Sequence, residues 1–186
     1  DWGERARALE PSKTTAYGVI GDAQIELGRY DDAVETIQRM VDLRPYLGSY
    51  SRVSYLRELM GDREGAIVAM EQAVVAGSGY IENTAWVHVQ LGNLRFDGGD
   101  LAGARHDFEA ALAAMPGYAP ALAGSARVAA AETQGMRPGH QPVAVVGHVR
   151  GRPVRAREEI RAGKLRRVMP DLGAVEREDH RLANLR

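Results

Sequence analysis

The chain has 186 residues, 45% of them hydrophobic and 26% charged, with no cysteine and a net charge of −1. That composition belongs to a globular protein and excludes disulfides and thiolate metal sites. The charge is uneven: residues 1–131 carry 12 Lys/Arg against 18 Asp/Glu, a net of −6, and residues 132–186 carry 12 against 7, a net of +5. All eleven aromatic residues, Trp2 to Tyr118, fall in the acidic part. The longest uncharged stretch, 110–126, is rich in Ala, Gly and Pro and falls short of the ~20 strongly apolar residues that a bilayer crossing needs. The chain opens on Asp1 without a recognisable signal peptide. The compartment is therefore open, with the cytoplasm as the default expectation.

From residue 14 onward the apolar residues follow a helical period. Tyr17, Ile20, Gly21, Gln24 and Leu27 share one helical pattern, Gly28 stops it, and Ala33, Val34, Ile37, Met40 and Val41 form a second apolar face. Gly28 suits the left-handed turn that ends a helix, Asp31 and Asp32 suit the positive N-terminus of the next, and Pro45 cannot continue it. Two antiparallel helices are predicted. The same grammar returns twice, at Gly61-Asp62-Arg63 with Ala66 and at Gly99-Asp100-Leu101 with Ala104. One shared offset carries Ala33, Ile37 and Met40 to Ala66, Met70 and Ala73, and a second, longer one carries these to Ala104, Phe108 and Ala111. A small residue lets the paired helices approach, and the larger one four positions on fills the space beside it. The longer step reflects extra residues at 77–83, read as a lengthened surface loop in preference to a lip carrying Tyr80 over a groove.

These copies resemble the tetratricopeptide repeat, a helix-turn-helix unit of about 34 residues. Units are placed at 14–46, 47–80 and 85–118, with the first helix of a fourth at 118–131 and the end of a preceding unit at 1–13, where Pro11 stands one repeat length before Pro45. The family's first-helix Gly is present as Gly21 and Gly92 and its terminal Pro as Pro45 and Pro116, while the middle copy has Ser54 and Ser78. The resemblance implies an all-α fold of antiparallel helix pairs stacked into a right-handed solenoid, and a chain that is part of a longer array.

The pattern stops after Ala131. The Gly and small residue due near 133 and 138 are Thr133 and Pro138. Residues 132–186 form a basic, aromatic-free tail, with weak amphipathic stretches at 154–169 and 174–185. A nucleic-acid arm would explain only the charge, and the absent rings argue against single-strand binding. A disordered extension or an out-of-frame translation is the expected nature of this tail.

No catalytic constellation emerges. His88, His106, His140, His148 and His180 share no metal-ligand spacing, and His88 falls where a packed side chain is expected. The Gly-rich stretches lack the strand and Lys-Ser/Thr of a phosphate loop. The chain is read as a non-enzyme without metal or cofactor. In the resembled family the first helices line a concave groove, which here offers Asp22, Ile25 and Glu26, then Ser51, Tyr55, Glu58 and Leu59, then Trp86, Val89, Asn93, Phe96 and Asp97. Tyr55, Glu58, Trp86, Val89, Asn93 and Phe96 are the leading candidates, since aromatics give large apolar contact and an Asn amide can hold peptide backbone. Chaperone-binding relatives grip a terminal carboxylate with Lys, Arg and Asn, but the corresponding positions here hold Gly18, Asp22, Arg52, Trp86 and Gln90. An acidic, aromatic groove points to a basic or apolar peptide. The expected function is a protein-protein adaptor. The alternatives are the repeat portion of a larger enzyme or regulator, and self-association through exposed array ends.

Overall fold

The computed structural model describes residues 2–77 and 79–133, and among these the chain forms eight helices and no strand. They are α1 (Trp2–Leu9), α2 (Thr14–Glu26), α3 (Tyr30–Leu43), α4 (Leu47–Leu59), α5 (Arg63–Gly77), α6 (Ile81–Asp97), α7 (Leu101–Ala114) and α8 (Ala119–Thr133). Each helix packs on the next in the chain, most extensively within the pairs α2–α3, α4–α5 and α6–α7. The result is a linear stack of helical hairpins, the tetratricopeptide-like solenoid. The stretches at 154–169 and 174–185 lie outside the described residues, as does the basic tail except residues 132 and 133, which complete α8.

Three hairpin turns are built alike. Gly28, Gly61 and Gly99 take φ of 71°, 84° and 84°, the left-handed region that glycine enters without a Cβ penalty. In each, the glycine N–H donates to the carbonyl three residues back, and the following N–H donates to the carbonyl five back: Arg29 to Gln24 (2.8 Å), Asp62 to Arg57 (2.8 Å) and Asp100 to Arg95 (2.9 Å). This Schellman pattern pairs carbonyls that a helix end leaves bare. The second and third turns then start the next helix with an Asp cap, Asp62 Oδ1 accepting from Gly65 N and Asp100 Oδ1 from Gly103 N, both at 2.9 Å. The first turn has Arg29 at that place, and its side chain donates to Asp32 Oδ2 instead (2.7 Å).

Burial follows the register. Ala33, Ala66 and Ala104 are each 0% exposed, and Ile37, Met70 and Phe108 are buried beside them. Phe108 lies under both α6 and α8: a Cβ placed on Gly92 would come within 2.8 Å of its ring, and one on Gly124 closer still. Those two glycines let three helices converge on one aromatic side chain, which fixes the position of α8 on the end of the stack.

The longer step between the second and third hairpins is not a long loop. Helix α5 runs to Gly77 and α6 begins at Ile81, so most of the extra residues wind into an added first turn that makes α6 17 residues long against 13 for α2 and α4. Ile-Glu-Asn-Thr has no helix breaker, and the Thr84 hydroxyl donates back to the Tyr80 carbonyl at 2.9 Å.

Candidate peptide-binding groove

Alternate helices α2, α4, α6 and α8 form one side of the stack, with α2 packing on α4 and α6 on α8. Both of these seams are bridged by a guanidinium from the later helix. Arg52 of α4 donates from Nε and Nη2 to the two carboxylate oxygens of Asp22 on α2, both at 2.8 Å, and from Nη1 to the Gly48 carbonyl at 2.9 Å. Gly18 leaves room for it, since a Cβ there would meet Arg52 Cζ at 3.1 Å. Arg127 of α8 lies 4.3 Å from the centroid of the Phe96 ring and donates to Asn93 Oδ1 (3.2 Å) and Asp97 Oδ1 (3.3 Å) on α6. Stacking on a ring while forking onto oxygen acceptors is what the planar guanidinium does and a lysine ammonium does not.

Between these seams, α4 and α6 approach less closely, and Tyr50 of α4 shares a buried cluster with Val87, Leu91 and Leu94 of α6. One repeat step on from Arg52 stands Gln90, and one repeat step back from Arg127 stands Asn93, so α6 has amides where the other seams have guanidinium groups. The single Arg or Lys of α6, Arg95, points elsewhere, donating to Asp107 Oδ2 of α7 (2.6 Å) and Glu71 Oε1 of α5 (2.7 Å). Asp107 is 2% exposed, and His88 Nδ1 lies 3.5 Å from its other oxygen. This group braces α5, α6 and α7 from inside, and His88 belongs to it as a packed side chain.

The six leading groove residues separate into two sets. Tyr55 and Trp86 keep 41% and 37% of their surface exposed, Glu58 is exposed, and Asn93 is half-buried with its carbonyl oxygen accepting from Arg127. Val89 and Phe96 are buried, packed in the cluster around Ala104 and Phe108. Burial of Phe96 under Arg127 removes it as a contact surface, and Val89 belongs to the core between α6 and α7. Ile25 is likewise buried. The acidic groups gather around Tyr55. Its partial burial raises the phenol above its ordinary value of 10.0, and the charges of Glu26 and Glu58 raise it further, followed by Tyr30 and Asp22. Tyr50 in the same helix is raised by burial alone.

Arg52 and Arg127 are the residues that sequence reasoning missed as organisers of this side. Their signal is an Arg on a first helix roughly one repeat after an Asp or Asn, at 30 residues for Asp22–Arg52 and for Asp97–Arg127 and 34 for Asn93–Arg127. Among the described residues no group of three or more His, Cys, Asp or Glu is placed to hold a metal, and no helix is long and apolar enough to cross a membrane.

The sequence model of the tetratricopeptide repeat family matches residues 14–46. No curated protein matches the chain by sequence. Among solved structures, the fold is similar to TTC0263, a thermophilic tetratricopeptide protein of Thermus thermophilus, at 21% identity and a TM-score of 0.59 over 70% of each chain. It is similar to the Sgt2 tetratricopeptide domain of Aspergillus fumigatus, at 20% identity and a TM-score of 0.57 over 74% of this chain and 91% of that one. It is also similar to the first tetratricopeptide domain of Spaghetti (RPAP3) bound to the HSP90 peptide SRMEEVD, at 20% identity and a TM-score of 0.56 over 65% of this chain and 94% of that one.

Proposed function

From the premise that this chain is a member of the tetratricopeptide-repeat family, we propose that it is a non-catalytic adaptor that binds a peptide or protein segment along the side formed by α2, α4, α6 and α8. The observation that carries this reading is the pair of half-exposed aromatics, Tyr55 and Trp86, on the neighbouring first helices α4 and α6. Aromatic anchors carry a disproportionate share of binding energy at protein interfaces, and here the flanking carboxylates favour a cationic or apolar segment. That the Spaghetti domain of the same fold is bound to a peptide is consistent with this use of the fold. The terminal-carboxylate grip of chaperone-binding relatives is not part of the proposal, because Asp22, Trp86 and Gln90 stand where its cations and amides would be.

The experiment is selection of a binding peptide from a displayed random library with the full chain as bait, followed by affinity measurement on variants. Tyr55→Ala and Trp86→Ala should each weaken binding by ~1–3 kcal/mol with unchanged helicity. Asn93 and Glu58 should contribute less, as polar groups near the rim. Unchanged affinity in both aromatic variants overturns the assignment of the groove.

A further inference from the structure

The accessible face of α6 is a narrow stripe. Every second or third residue from Ala85 to Phe96 is buried, and His88 and Arg95 are engaged with Asp107. What remains is Trp86, Gln90, Asn93 and Asp97, three or four residues apart and therefore on one side of the helix. The two amides of this stripe differ. Gln90 has no partner among the described residues, so its oxygen and its nitrogen are both available to peptide backbone. Asn93 turns its oxygen to Arg127 Nη1 at 3.2 Å, as it must toward a guanidinium, which only donates. Compared with Arg52 and Arg95, Arg127 is held loosely. Its bonds are 3.2 and 3.3 Å and its side chain is 47% exposed, against 2.8 and 2.9 Å and 29% for Arg52 and 2.6 and 2.7 Å and 20% for Arg95. Long, exposed pairs hold weakly. Helix α8 has its own anchorage, since Ala121, Gly124, Val128 and Ala131 are buried and Gly124 lies on the Phe108 ring.

Resting on the reading of this side as a peptide-binding groove, we propose that Arg127 is a displaceable gate on it, competing with the bound peptide for the Asn93 amide. In the free chain the guanidinium lies over Phe96 and on the Asn93 oxygen, and the unoccupied amide track of α6 stops at Gln90. A peptide that runs further displaces Arg127 from Asn93. The Asn93 oxygen then accepts a backbone N–H of the peptide and its nitrogen donates to a backbone carbonyl, while α8 stays in place on Phe108. Because the peptide gives up the Arg127 contact to make this one, Asn93 adds little net affinity in the wild-type chain and contributes fully only when Arg127 is gone. Arg52 has no such role, since it donates to carboxylate and backbone oxygens and engages no amide.

The test is titration calorimetry of the full chain with a peptide selected from a displayed library, comparing wild type, Arg127→Ala, Asn93→Ala and the double variant, with circular dichroism confirming the folded state. Arg127→Ala should bind at least about threefold tighter, the effect of one hydrogen bond released from competition. Asn93→Ala should stay within about twofold of wild type, and the double variant should lose the gain of Arg127→Ala. A bridge that only holds α8 would give the opposite sign, weaker binding without Arg127. The side-chain amide signals of Asn93 in the wild-type chain supply a second reading and should shift when the peptide is added. Equal or weaker binding by Arg127→Ala, a gain that persists in the double variant, or Asn93 signals that stay in place while the peptide binds each overturn the gate and leave the groove standing. Absence of any binding peptide for wild type and Arg127→Ala alike overturns both the gate and the groove.

Discussion

The α2–α4 and α6–α8 seams and the α4–α6 seam are made of the same kind of helix, yet the first two are bridged by an arginine and the third meets through the buried cluster of Tyr50 with Val87, Leu91 and Leu94. One residue type marks the difference. Where the later helix carries Arg52 or Arg127, a guanidinium reaches the preceding helix and holds it; where it carries Gln90 and Asn93, the reach and the charge are both missing. A solenoid is stabilised by its helix pairs and their neighbours, so a weak first-helix seam is tolerated as long as the cores beneath are intact. The core of the third hairpin supplies this, with Phe108 packed against glycines of α6 and α8.

The sharpest way to break the comparison is to remove that core. Phe108→Ala empties a site that is 0% exposed and should cost about 3–5 kcal/mol in denaturant unfolding, freeing α8 along with the α6–α8 seam. A loss near ~1 kcal/mol would mean that α8 is held mainly by Arg127. Next in size is Asp107→Ala, which removes the buried acceptor of Arg95 and the carboxylate beside His88. Breaking a buried pair from one side destabilises by roughly 3 kcal/mol, reduced here because Arg95 retains Glu71. The measurement is again denaturant unfolding, and an effect below that of Arg52→Ala would show that the network does not hold the helices together. Arg52→Ala and Arg127→Ala remove exposed or half-exposed pairs and should cost only about 0.2–1 kcal/mol each. Their signature is local: amide exchange should quicken in α2 for the first and in α8 for the second, with α5 unaffected. Gln90→Arg combined with Tyr55→Asp rebuilds at the α4–α6 seam the pair seen at Asp22–Arg52, and should gain a few tenths of a kcal/mol while lowering peptide affinity.

Smallest of all is a pH effect confined to α4. Tyr50 and Tyr55 both have phenols raised above 10.0, so the folded chain keeps their protons at a pH where the unfolded chain has lost them. Stability from these groups is present in full below pH 10.0 and falls as pH rises through the folded values. Unfolding midpoints followed across that range should decline, and less steeply in Tyr50→Phe.

Much of the scaffold is legible in the sequence because the residues that build it act locally. Gly28, Gly61 and Gly99 read as turns since only glycine enters that backbone region freely, and Ala33, Ala66 and Ala104 stand out by their shared spacing, which a close helix contact requires. The added turn of α6 reads as loop because Gly77 and Gly79 bracket the break, while the helix-compatible run after them carries no side-chain cap that marks its start. The groove is legible only in outline. Which face of a first helix meets solvent depends on where its neighbours sit, so Val89 and Phe96 look equivalent to Trp86 in register although they pack inward. Arg52 and Arg127 are hidden for a related reason: a contact across 30 residues depends on the separation of two helices, which no local pattern specifies.

The most direct test of the groove is to map a selected peptide onto isotope-labelled full chain by amide chemical shifts. The account predicts perturbations concentrated in α4 and α6 around Tyr55, Trp86 and Gln90, weaker ones in α2, and few in α3, α5 and α7. Perturbations centred on α3, α5 and α7 would contradict it, placing the binding surface on the opposite side of the stack.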